Sequence, residues 1–467
     1  MKIRTIILTL VAILLVLGLI ALCFPKEGLN FFGLKLKFPT LKEALFKQNL
    51  QYANIDDLVD EKDETRNADN VAKVKIADKY ISGLEYPDDD TTALYSFFNA
   101  LEQAGNKKVR ILHYGDSQIE GDRITSYLRS RLQSEFQGKG QGQMPLFSLS
   151  NIKGVSYNAS SNWLHKSIIN KRDKRFNCYG LMMTACVSYV QEMVDTTTFD
   201  TTYLRTAWIS MKFDNAISND LHLYCSSPNN QSTITISSKE NVLVQKTLQA
   251  SNDIIDLKIP INTPISSLKI VASSGVQLYS LDNSLDEGVY VDNISLRGSS
   301  GWGMNWNNKH IISTMAEMLD VKLIIMQFGV NAVPQEEDKV LDSYDFFEKE
   351  YSRQLAFLRE SIPQAQIIVV GVSDRSRKKG DGYETNPNIP KLIKAQRQAA
   401  KENGCLFWDM YEAMGGNNSM PSWVLREKPL ANPDFIHFNE RGAKYIAEMF
   451  YKSFELEYKK YQMSKQR

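Results

Sequence analysis

The run Val109-Arg110-Ile111-Leu112-His113-Tyr114-Gly115-Asp116-Ser117-Gln118-Ile119-Glu120-Gly121-Asp122 decides how the rest of this chain is read. An apolar-biased stretch with Val109, Ile111 and Leu112 stops abruptly at Gly115-Asp116-Ser117, and from Asp122 onward Ile124, Leu128, Leu132 and Phe136 recur at helical spacing. The pattern predicts strand, tight turn, helix. A serine in that turn stands at the carboxyl end of a buried strand, where open α/β sheets bind ligands and backbone N–H groups can face an anion. Gly-Asp-Ser is also ordinary turn chemistry, so a nucleophilic Ser117 needs partners from elsewhere in the chain.

Two later stretches supply them. The apolar run Leu323-Ile324-Ile325-Met326 enters Gln327-Phe328-Gly329-Val330-Asn331, delivering an amide side chain where a second strand ends. Near the C-terminus, Asp434-Phe435-Ile436-His437 sets a carboxylate and an imidazole three residues apart before a final helix. With Gly301 in Gly298-Ser299-Ser300-Gly301, these blocks resemble the SGNH (GDSL-type) hydrolase family, in particular its bacterial branch of exported carbohydrate O-acetylesterases and acetyltransferases with an inserted β-domain. The resemblance covers Val109 to Pro145 and Tyr290 to Phe454. It does not extend through the middle of the chain.

The resemblance implies an α/β fold, a three-layer α/β/α parallel sheet. The chain pattern agrees, because strands and helices alternate again from His310 to the C-terminus. Between Tyr157 and Leu296 the periodicity instead drops to two residues, as in Thr233-Ile234-Thr235-Ile236, which predicts an inserted antiparallel β-sandwich. The expected division is a transmembrane anchor over 1–25, a stalk over 26–90, a catalytic domain over 91–150 and 298–467, and a carbohydrate-binding-like insert over 151–297.

Acyl transfer from an ester needs a nucleophile, a base, a group orienting the base and donors for the oxyanion. Five histidines are present, and His113, His165, His222 and His310 lie in a strand, the insert or a helix start; His437 stands outside these, with Asp434 three residues before it. Ser117 is therefore the expected nucleophile, His437 the base and Asp434 its orienting carboxylate. The resemblance adds an oxyanion hole from the Ser117 N–H, the Gly301 N–H and the Asn331 side chain. Two departures stand out: Leu296 replaces the family's asparagine before the glycine pair, leaving Gly298 as an alternative to Gly301, and Ala332 replaces the aspartate of Gly-x-Asn-Asp. Asp116 reads as a turn-former, and Asp122 or Arg123 as cap and charge for the following helix. Trp302 and Trp306, beside the glycine pair, are the expected sugar platforms, whereas Trp408 and Trp423 read as buried aromatics.

At 467 residues the chain exceeds one ordinary core, and with 43% apolar and 23% charged residues it has a globular composition. A net charge of +1 and the lack of a basic tract with interleaved aromatics argue against a nucleic-acid partner. Ile6 to Phe24 is apolar apart from Thr9 and Gly18, long enough to span a bilayer, and follows Lys2 and Arg4. That arrangement predicts an uncleaved single-pass anchor with the N-terminus cytoplasmic and the rest outside it. For the bacterial branch this means an inner-membrane protein facing the periplasm. Cys178 and Cys186 are the only cysteines close enough in sequence to suggest a disulfide, and Cys405, opening an apolar strand, reads as a buried thiol. No spacing reads as a metal site and no cofactor is called for. The expected function is removal of O-acetyl groups from an envelope or extracellular glycan, peptidoglycan-like or another acetylated polysaccharide. The alternatives are an O-acetyltransferase partnered by a membrane acyl-donor protein and a carbohydrate-binding scaffold whose site has lapsed.

Overall fold

The computed structural model describes residues 3–25, 28–31, 34–36, 50–58, 76–147, 152–170, 176–194, 201–336 and 338–466. The first element is an apolar helix, α1 (Ile3–Cys23), whose Arg4–Cys23 stretch is long and apolar enough to cross a membrane and is exposed along nearly all of its length. Most of the expected stalk, including Phe32 and the charged run over 59–69, lies outside the described residues.

The catalytic layer is assembled from α2 (Tyr95–Glu102), β1 (Lys108–Gly115), α3 (Thr125–Phe136), β2 (Gly288–Ser295), α4 (Lys309–Met318), β3 (Val321–Gln327), α5 (Asp345–Ser361), β4 (Gln366–Val370), α6 (Ile389–Glu402), β5 (Leu406–Trp408) and α7 (Glu440–Lys465). The strands form one parallel sheet in the order β2-β1-β3-β4-β5, with Gly115 of β1 level with Gln327 of β3 and Ser295 of β2. Strand alternation sorts the core into two layers. Val109, Ile111, Leu323 and Ile325 pack with Phe98, Leu128, Ile446 and Phe454 of α2, α3 and α7. Leu112, Tyr114, Ile324 and Met326 pack on the other face with Ile312, Leu355 and Leu392 of α4, α5 and α6. Helices cover both faces, which is why these strands read as nearly continuous apolar runs.

Between β1–α3 and β2 the chain builds two antiparallel sheets, one of strands 155–159, 206–217, 232–238, 241–248 and 265–273, the other of strands 163–167, 184–188, 221–227, 251–259 and 277–282 joined by 143–144. Their facing residues, among them Met211, Leu223, Ile236, Leu257, Ile270 and Leu278, form a third core. The insert is tied to the parallel sheet by Arg110. This fully buried guanidinium in β1 pairs at 2.8 Å with Asp282 of the insert and at 2.8 Å with Asp292 of β2.

One expectation meets a different outcome. Part of the 26–90 stretch is integral to the catalytic layer: Ile55, Leu58, Tyr80 and Leu84 are buried in its core, and Glu85 exchanges backbone hydrogen bonds with Phe407 at the edge of β5. Apolar side chains scattered among polar ones conceal this, because each docks singly and leaves no periodicity. Cys178 and Cys186 are free, as are Cys23, Cys225 and Cys405.

Candidate active site

The site forms where the carboxyl ends of β1, β2 and β3 meet. Order 2-1-3 means the chain leaves β1 in one direction for β2 and in the other for β3, opening a crevice at the switch point. The Ser117 turn follows β1 directly. It can pack this tightly because position 115 lacks a side chain: a Cβ there would sit 2.8 Å from Ile119 Cδ1 and 2.9 Å from the Gln327 carbonyl. Asp116 fixes the turn, accepting from the Gln118 N–H at 3.0 Å and from the N–H groups of Gly329 and Val330 after β3. Burial pushes its carboxyl up to about 6, with those hydrogen bonds and the nearby His437 opposing the rise.

Ser117 Oγ lies 2.8 Å from His437 Nε2, across 320 residues of chain. His437 Nδ1 in turn lies 2.7 Å from Asp434 Oδ2. A ring nitrogen facing a carboxylate carries the hydrogen, so Nε2 is left to accept from the serine hydroxyl. The Asp434 carboxyl also receives the backbone N–H groups of Ile436 at 2.9 Å and His437 at 3.0 Å. Burial alone would raise its pKa, but the His437 side chain and these two N–H groups outweigh that and hold it at about 2. The side chains of His437 and Asp434 remain 28% and 44% exposed, so both are within reach of water.

The expected oxyanion donors separate. Asn331 follows β3 in a short 3₁₀ turn and donates one Nδ2 hydrogen to the Ser299 carbonyl at 3.0 Å, keeping the other. Gly301 does not present a free N–H: it is buried, its N–H donates to Ser299 Oγ at 3.0 Å, and a Cβ on it would sit 2.8 Å from the Tyr351 ring. Gly298, the alternative, is exposed at φ +81° with open space around it. Its turn leaves β2 beside the nucleophile, since the Leu296 N–H donates to the Gly115 carbonyl at 2.7 Å and Arg297 pairs with Glu120 at 3.1 Å. The aromatics separate too. Trp302 is half-buried, edge-on to Phe346 at 5.7 Å between ring centres, whereas Trp306 is 49% exposed.

Some residues near the nucleophile do work that the sequence did not announce. Asp122 forms a two-point ion pair with Arg129 at 2.8 and 3.0 Å instead of capping a helix. Arg123 donates to the carbonyls of Ser117, Glu120 and Phe438, tying the nucleophile turn to the His437 loop. His113 is enclosed between Gln327 and Thr125, and burial drives its pKa down to about 4, so it stays neutral and structural.

Residues 277–445 match the family model described as GDSL-like lipase/acylhydrolase, a span that opens at the last strand of the insert and closes in α7. That stretch therefore matches a GDSL-type (SGNH) hydrolase domain. The nucleophile strand lies upstream of the matched span because the insert separates the two. Among solved structures, a peptidoglycan O-acetylesterase is 18% identical with a TM-score of 0.63, the similarity covering 80% of this chain and 99% of that one. This chain therefore shares that protein's fold over 80% of its own length. An acetyl xylan esterase (16% identity, 35% of this chain and 80% of that one, TM-score 0.25) and a family two carbohydrate esterase from Cellvibrio japonicus (10% identity, 55% and 89%, TM-score 0.19) are more distant. No curated protein sequence matches the chain.

Proposed function

We propose that this protein is a membrane-anchored serine esterase that removes O-acetyl groups from an envelope or extracellular polysaccharide. One observation carries the reading: Ser117 Oγ, the His437 ring and Asp434 are in line at 2.8 and 2.7 Å. In the first half-reaction His437 Nε2 takes the Ser117 proton as Oγ bonds to the acetyl carbon. The bond from that carbon to the sugar oxygen then breaks, and the sugar leaves with the proton from His437. In the second half-reaction water gives its proton to His437 and its oxygen to the acetyl group, Ser117 recovers a proton, and acetate departs. The oxyanion of each tetrahedral intermediate is held by the Ser117 N–H, the Asn331 amide and, in place of Gly301, the Gly298 N–H. The exposure of His437 and Asp434 favours water over a sugar hydroxyl as acceptor, since a transferase must exclude water from its acyl-enzyme. The insert and Trp306 are assigned to holding the glycan, and α1 to keeping the enzyme at the membrane.

The test uses the full chain in detergent with O-acetylated peptidoglycan fragments, acetylated xylan and an unacetylated acceptor, following free acetate and acetylated acceptor together. Free acetate that disappears in Ser117→Ala is expected. Acetylated acceptor as the main product would make the protein a transferase, and no serine-dependent product would make it a binding scaffold.

A further inference from the structure

Phe435 beside the ring stacks on Tyr383, but the alignment of the His437 ring with Ser117 also depends on how the two loops are held to each other. His437 is partly exposed, its partner Asp434 more so, and the loop bearing them passes through Phe435 at φ +58°, a strained conformation for an aromatic residue. We propose that Gln118, the residue after the nucleophile, is a positioning residue that sets the register between the Ser117 turn and the His437 ring, with Arg123 completing the hold; the inference rests on the esterase reading above.

Gln118 is 2% exposed, and every polar atom of its side chain is committed. Nε2 donates to the Ile436 carbonyl at 2.8 Å, and Oε1 accepts the Phe438 N–H at 3.2 Å. These are the peptide groups on the two sides of His437. The second Nε2 hydrogen goes to Ser373 Oγ at 3.2 Å, beyond the end of β4, and the Gln118 backbone N–H is held by Asp116. Phe438 is gripped twice, its N–H by Gln118 and its carbonyl by Arg123 Nη1 at 2.9 Å, while the same guanidinium holds the Ser117 carbonyl. One planar amide thus pairs with the base's backbone as a neighbouring strand would, and it is covalently joined to the nucleophile. Glutamine is matched to the task because it offers a donor and an acceptor together. Methionine has the shape and neither function. Glutamate accepts from Phe438 in either form, but it donates to Ile436 only when protonated.

That difference provides a readout that a merely structural role would not give. Turnover of 4-nitrophenyl acetate is measured with the full chain in detergent for wild type, Ser117→Ala, Gln118→Met and Gln118→Glu. In Gln118→Met, kcat is expected to fall on the order of 10²-fold with KM within about threefold, the size of effect that an ångström of misplacement produces. In Gln118→Glu, activity relative to wild type at the same pH is expected to climb about tenfold from about pH 8 to about pH 5 as the acid form restores the donor. Dividing by wild type removes the pH effects that the two forms share through the groups facing the site, Asp116, Asp434, His437 and Arg123. Should Gln118→Met fail to fold, the pH dependence of the Gln118→Glu to wild-type ratio carries the test alone. A kcat within threefold of wild type in folded Gln118→Met, a loss confined to KM, or a Gln118→Glu ratio that stays flat with pH overturns the positioning role. Turnover that survives Ser117→Ala overturns the esterase reading, whereas turnover lost there but intact in Gln118→Met overturns only this inference.

Discussion

Individual residues divide into those whose chemistry is written in their neighbours along the chain and those whose chemistry is not. Asp434 belongs to the first group: it meets His437 three residues away, and with a pKa of about 2 it is ionised wherever the imidazole is neutral. Asp434→Asn keeps the shape but no longer fixes the tautomer, and kcat is expected to fall by about 10³–10⁴-fold with little change in KM. A loss below tenfold in steady-state kinetics would remove Asp434 from the triad. For Asn331→Ala the expected loss is on the order of 10²–10³-fold, and an effect under about threefold would make its hydrogen bond to Ser299 its whole purpose. Asp374 belongs to the second group. Fully buried beside Ser373, it accepts from the Met420 N–H at 2.7 Å, and burial pushes its carboxyl up to about 6. Between its ordinary range near 3.8 and about 6 the folded protein keeps a proton that the unfolded chain has released. Stability from this group is therefore present at low pH and lost as pH rises through about 6, by about 3 kcal/mol in all. Urea unfolding at pH 4 and pH 7 should show Asp374→Asn gaining on wild type by that order between the two; parallel profiles would contradict it. Nothing beside Asp374 in sequence reveals this, because its burial depends on the helix over 419–425 docking from 45 residues away.

Elements were legible in proportion to how local their causes are. The strand–turn–helix of residues 109–136 could be read directly because its apolar spacing changes from two to about 3.6 across three residues, and α5, α6 and β3 to β5 followed from the same periodicities. The glycine pair was not separable in that way. Gly298 and Gly301 both have positive φ, and only the fold shows that one faces solvent beside the nucleophile while the other is enclosed by Tyr351 and Phe328. The Gln118 and Arg123 contacts were equally hidden, spanning more than 300 residues between two loops with no shared pattern. Gly115 is the point where element geometry becomes site geometry. Gly115→Ala must push against Ile119 and the Gln327 carbonyl, moving the Ser117 turn relative to β3. Such a shift is expected to lower kcat on the order of 10²-fold while the near-ultraviolet circular dichroism stays close to wild type. Activity within threefold of wild type would show that the turn does not depend on that contact.

At the scale of the whole molecule, a parallel sheet and an antiparallel insert are joined by a shared apolar core and by a buried cation. Arg110 meets both Asp282 and Asp292 with no exposure on any of the three. Burial works to raise both carboxyl pKa values and Arg110 opposes it, prevailing at Asp282, which is held below its ordinary range, but not at Asp292, which stays above its own. Arg110→Ala leaves two carboxylates buried against each other and is expected to cost about 3–5 kcal/mol of stability in chemical denaturation; a change under about 1 kcal/mol would mean that the two parts are joined by apolar packing alone. The same long-range assembly produces the candidate site, since Ser117, Gly298, Asn331 and His437 come from segments that the insert and helices α3 to α6 keep apart in sequence. The esterase reading requires these segments to act on one acyl carbon through a covalent acetyl-Ser117. The most direct test is to mix the enzyme with 4-nitrophenyl acetate, quench in acid within the first turnover, and map the acetyl group by peptide mass spectrometry. The account predicts an acetylated peptide carrying the modification at Ser117, absent in His437→Ala; turnover with no acetyl on Ser117, or with acetyl on another residue, would contradict it.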